Sequence, residues 1–161
     1  MTEILRKLLR FMNRDLTGKT WEREVTHPYF GRMTYFGHHD SSKAYWEAEL
    51  PLPGKAACTV TFDGTPVGPL ASEEAFCREM MGDLDRLFEK CRDAFAREFP
   101  AWTSTPFPTR WQDAFALTGL AVPRNGDVTG EWEACYYAAP TRRDFVAKFR
   151  GGHVVEVLVE N

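Results

Sequence analysis

The side chains of this 161-residue sequence best suited to metal or nucleophilic chemistry are its four histidines and four cysteines. The one close run of metal-type ligands is His38-His39-Asp40, with His27 near it if the flanking strands pair. Adjacent residues of an extended chain point to opposite sides, so neighbouring imidazoles share an ion only in a special turn, and a solvated hairpin turn is the plainer reading. Cys58, Cys77, Cys91 and Cys135 show no CxxC spacing, and each sits in an apolar pattern where a thiolate is disfavoured rather than activated. Glu47 and Glu49 lie two apart on one expected strand, about 7 Å from each other on one face. That is a loose fit to a two-carboxylate mechanism and a good fit to the polar side of an amphipathic strand. No GxSxG elbow, HExxH helix, GxxxxGK[ST] loop or GxGxxG turn occurs, and nothing calls for a cofactor.

With catalytic motifs absent, surface recognition is the remaining chemistry. Trp21, Tyr29, Tyr35, Tyr45 and Tyr137 are candidates to stand on a sheet face away from a helix, where aromatic rings favour protein recognition. The candidate protein-binding face is Tyr35, Tyr45, Trp46, Glu47 and Tyr137. Bases could stack on such rings, but Glu22, Glu24, Glu47 and Glu49 nearby repel a phosphate backbone.

Elements must position these residues. From Thr2 to about Arg14, Ile4, Leu5, Leu8, Leu9 and Met12 recur at helical spacing, with Arg6, Lys7, Arg10 and Arg14 in other directions. An amphipathic N-terminal helix over 1–16 is expected. It either docks on its own domain or serves as an arm for a partner or a membrane surface. A β-meander over 21–63 follows, in which Ala44, Trp46, Ala48 and Leu50 alternate with Lys43, Tyr45, Glu47 and Glu49. The stripe Phe76, Met80, Leu84, Leu87, Phe88, Cys91, Phe95 and Phe99 predicts one long helix over 72–99, N-capped by Ser72 and stopped by Pro100. A stretch of β-hairpins over 108–161 includes the Asn125-Gly126 and Gly151-Gly152 turns.

Composition bounds the whole. Hydrophobic residues make up 43% and charged residues 27%, ordinary globular usage for a single domain over 1–161, while the 14% aromatic share points to bulky packing under a sheet. The formal charge is −3, so no global positive field recruits nucleic acid or an anionic membrane. The first fifteen residues carry four basic against two acidic side chains, a local +2 that leaves −5 for the remainder and allows peripheral membrane contact through 1–15. No apolar run reaches the roughly 20 residues of a membrane span, and the start lacks a secretory signal pattern, so a cytoplasmic protein is expected.

The motifs His27-Pro28-Tyr29-Phe30-Gly31-Arg32-Met33, Trp46-Glu47, Gly68-Pro69 and Phe149-Arg150-Gly151-Gly152-His153-Val154-Val155-Glu156-Val157 together resemble a bacterial family of small uncharacterised domains. Some members of it are similar to immunity proteins of toxin systems, so the resemblance implies a protein partner, and it supplies no catalytic residues to carry over. The expected architecture is α+β: antiparallel hairpins and a meander packed against one long amphipathic helix, with a short N-terminal helix. The expected function is a non-enzymatic protein-binding domain, an immunity or accessory protein. The alternative is a small-ligand binder or hydrolase-type enzyme with a pocket between sheet and helix, where His27, His38 and His39 would converge. A homodimer through the strand edge 153–159 is compatible with the pattern.

Overall fold

The computed structural model describes residues 20–54 and 56–161. Eight strands form one sheet in sequential order: β1 (Thr20–His27), β2 (Gly31–His38), β3 (Tyr45–Pro51), β4 (Ala57–Asp63), β5 (Phe115–Ala121), β6 (Trp132–Ala138), β7 (Arg143–Arg150) and β8 (His153–Glu160). Neighbours pair antiparallel except β4 with β5, which run parallel. A parallel pair needs a long crossover, and here it carries two helices, α1 (Ala71–Gly82) and α2 (Leu84–Glu98).

Two points correct the expected architecture. The meander and the later hairpins are one continuous eight-stranded sheet with a parallel join at its centre, not purely antiparallel units. The helix expected over 72–99 is two helices, because Gly82 and Asp83 break it. Asp83 leaves the helical region (φ −145°, ψ 81°), and its carboxylate caps α2 by accepting from Arg86 N at 2.9 Å. The apolar stripe hid this break, since Met80 to Leu84 keeps a step of four across it. Helix α1 begins at Ala71, with Leu70 rather than Ser72 at the cap. The helix expected over 1–16 lies outside the described residues.

Both helices cover the same side of the sheet, here called the inner face. Phe76 of α1 meets Trp132, and from α2 Phe88 meets Tyr136 while Phe95 meets Phe115 and Phe145, at ring distances of 5.2 to 5.6 Å. Strand register carries this core from β1 to β8: Val25 opposite Met33, Met33 opposite Ala48, Ala48 opposite Val60, Val60 beside Leu120, Leu120 opposite Ala134, Ala134 opposite Ala147, and Ala147 opposite Val157. Aromatic rings fill much of this layer, where each large ring removes much apolar area from water. A register shift between Lys148 and Phe149 turns Val154 toward this core and leaves Val155 at 58% exposure.

Among the described residues, no helix is long and apolar enough to cross a membrane.

Candidate functional site

The outer face of the sheet, away from both helices, carries the polar half of each alternating strand. Following the register gives one row with a residue from every strand: Glu24, Thr34, Glu47, Thr61, Ala121, Glu133, Lys148 and Glu156. Strands sit about 4.8 Å apart, so Glu47 and Glu133 are about 14 Å from each other with Thr61 between them. Glu47 Oε2, Thr61 Oγ1 and Glu133 Oε2 are buried and accept no hydrogen bond. Leaving such groups without partners costs free energy.

One end of the row opens into a cleft of about 1000 Å³, at the carboxyl ends of the parallel pair β4–β5. Its described walls bring Asp63, Asp127, Glu131, Glu133 and Glu156 together with Arg124, Lys148 and Arg150. Each basic side chain is already committed: Arg124 to Asp63 at 3.4 Å, Lys148 to Glu156 at 2.9 Å, and Arg150 to Glu131 at 2.6 Å. Asp127 is held in its own turn by Thr129. Glu133 is therefore the surplus carboxyl. Burial pushes its pKa up to about 8, against the pull of Lys148 and with the help of Glu156 and Glu131. The other end of the row lies in a shallower depression of about 490 Å³ with Arg32, Thr34, Glu47 and Glu49. Burial, and then Glu49, raises the Glu47 carboxyl above its ordinary value.

The cleft loop is fixed by α1. Glu73, buried in the first turn, accepts from Leu70 N at 2.8 Å and from Asn125 N at 3.3 Å, tying the loop after β5 to the helix start. Gly126, at φ +67°, lets the two backbones touch, since a Cβ there would lie 2.2 Å from Ser72 O.

Comparison with protein-family models, curated proteins and solved structures finds no match. The site must therefore be read from its own geometry.

The structure divides the candidate protein-binding residues between the two faces. Tyr35 and Trp46 lie on the inner face, buried and capped by Arg23, with Trp46 Nε1 donating to Thr65 O at 2.8 Å. Tyr45, Glu47 and Tyr137 are on the outer face. Tyr45 is buried and stacked on Phe36 at 4.8 Å, Glu47 is half-buried, and Tyr137 is 40% exposed. Alternation placed Trp46 inside, and Tyr35 follows because it pairs with Trp46 across β2–β3.

His38, His39 and Asp40 make a turn. His38 Nδ1 accepts from Asp40 N at 2.9 Å, Asp40 accepts from Ser42 N and Oγ, and His39 stands edge-on to Trp21. Hydrogen bonds from Ser42 hold the Asp40 carboxyl below its usual range. His27 Nδ1 accepts from Tyr29 N and Phe30 N in the β1–β2 turn, so the histidines do not converge. The described residues contain no group of three or more His, Cys, Asp or Glu able to hold a metal ion. All four cysteines are buried, and burial pushes the thiols of Cys58, Cys77 and Cys91 up, so none of these three is an activated nucleophile. The layer between sheet and helices, where a ligand pocket was the alternative, is filled by Phe88, Phe95, Phe99, Phe115, Tyr136 and Phe145.

Glu133, Thr61, Lys148 and Glu156 escaped the sequence reading. Alternation with Trp132, Ala134 and Tyr136 puts Glu133 on the outer side, but its neighbours across the sheet depend on pairing between distant strands.

Proposed function

We propose that this protein is a non-enzymatic binding domain that takes a basic, amphipathic segment of another protein on the outer face of its sheet. The row through Glu24, Glu47, Glu133 and Glu156, with buried unpartnered oxygens at Glu47, Thr61 and Glu133, carries this reading. Lysine and arginine supply donors to those oxygens and no acceptors, and a guanidinium can bond both oxygens of one carboxylate. The apolar part of such a segment has Phe36, Tyr137 and Leu158 to cover. An immunity or accessory role, implied by the sequence resemblance, belongs to this reading.

The test is fluorescence anisotropy with a labelled 20-residue Lys/Leu amphipathic peptide and a Glu/Leu counterpart. The basic peptide is expected to bind, to weaken about tenfold between 50 and 300 mM salt as exposed charges are screened, and to lose about tenfold affinity in the Glu47→Gln/Glu133→Gln variant. Equal binding of the two peptides, or an unchanged affinity in that variant, would sink the reading.

A further inference from the structure

The sheet ends in two unlike edges. Sequential strand order leaves β1 and β8 with one neighbour each, so alternate residues of both strands turn backbone N–H and C=O groups outward. Glu22, Arg23 and Glu24 stand exposed along β1, and such charges protect an edge. β8 lacks that protection. Five of its eight residues are aliphatic, and none is lysine, arginine or proline. Among the described residues, no turn or loop backbone bonds to its open side. The core is also unfinished there, since Phe145 and Ala147 of β7 are wholly buried while Val159 and Val157 opposite them are half-buried and Val155 is 58% exposed.

A second copy of β8 fits this edge. Two such strands related by a two-fold axis run antiparallel, and residues directly opposite each other share a sheet face. An axis at Glu156 sets two carboxylates face to face, and an axis at Leu158 sets Glu156 against Glu160, so both oppose like charges. An axis at Val157 opposes none. Glu156 then faces Leu158, the bulge lets Val154 and Val155 together face Val159, and His153 faces Glu160, so an imidazole N–H donor meets a carboxylate at each end of the seam. All eight residues of the strand are engaged. Each Glu156 is already bonded to its own Lys148 at 2.9 Å, which offsets the repulsion between the two copies of Glu156 across the seam.

We propose that β8 is a homodimer edge, at which two copies of this chain join antiparallel through His153–Glu160 with the two-fold axis at Val157. The axis stands perpendicular to the sheet, so the two sheets become one and the helices of both copies lie on the same side, with α2, which packs over β7 and β8, flanking the seam. The two outer faces become continuous as well. Dimerisation through this edge stands apart from what the outer face binds.

Sedimentation velocity and hydrogen exchange on the full chain test it. Between about 1 and about 200 µM the chain is expected to pass from monomer to dimer by mass action, and a monomer at every concentration overturns the proposal. Over the same range alternate amides of β8 are expected to exchange about tenfold more slowly in the dimer, while those of β1 keep their rates. Protection that falls on β1 or on any strand other than β8 assigns the interface elsewhere and overturns it. Val155→Lys, which puts a charge on the exposed edge, is expected to raise the dimer dissociation constant about tenfold or more, whereas Thr26→Lys on the exposed part of β1 leaves it unchanged. Equal effects of the two substitutions, or none from Val155→Lys, overturn the proposal. Should Val155→Lys lose its fold by circular dichroism, the wild-type exchange pattern alone decides.

Discussion

Glu133 and Lys148 stand directly opposite each other across β6 and β7, yet the Lys148 ammonium bonds Glu156 at 2.9 Å while Glu133 Oε2 has no partner. Cross-strand geometry would allow an ion pair here. Two carboxyls instead compete for one lysine, and Glu133, the buried one, is the one that holds its proton.

This arrangement has a signed consequence for stability. Glu133 titrates at about 8 when folded and at about 4.3 when unfolded. Between those values the folded state holds a proton that the unfolded state has lost, so Glu133 lowers stability progressively as pH rises from about 4 to about 8. Glu133→Gln removes the titration while keeping the shape. It is expected to change stability little at pH 4.5 and to raise it by roughly 2 kcal/mol or more at pH 8.5. Urea denaturation of both proteins at the two pH values measures it, and an equal effect at both would refute the account.

Glu73 ties the cleft loop to α1 through the bonds at Leu70 N and Asn125 N. Glu73→Ala leaves two backbone donors short of an acceptor and should cost about 1–3 kcal/mol. Faster hydrogen exchange at Leu70 and Asn125, with the core strands unchanged, is the expected local signature.

At Gly126 a methyl group meets both an unfavourable φ and the Ser72 carbonyl. Gly126→Ala should cost about 2 kcal/mol or more, since the loop must move off the helix start. Gly151→Ala is the control: it shares a positive φ of 63° but has open space at its Cβ. The thermal midpoint should fall further for Gly126→Ala.

Phe95 touches Phe88, Phe115, Tyr136 and Phe145 and is wholly buried. Phe95→Ala leaves a cavity at the centre of the aromatic layer and should destabilise by about 3–5 kcal/mol. Chemical denaturation gives the value directly, and a loss below about 1 kcal/mol would mean that the layer collapses around the vacancy.

The sequence by itself determined the local structure. Period-two alternation assigned strands around Trp46, Phe62, Tyr136 and Phe145, and the Gly151-Gly152 turn between β7 and β8 was legible because hairpin chemistry is written in adjacent residues. It also separated the faces along each strand, so Glu47 was known to point away from Trp46. Only the tertiary structure decided which strands lie side by side. The parallel contact of Thr61 with Ala121 joins the two halves of the chain, and no local propensity encodes such a pairing, whereas the contact of Ala121 with Glu133 belongs to the hairpin that the Asn125-Gly126 turn announced. The parallel join settles whether the glutamates of the two halves are scattered or aligned in one row. The break at Asp83 went unread for a related reason: burial of the apolar stripe is satisfied equally by one helix or two, and the cap that separates them is a backbone event a hydrophobic pattern does not record.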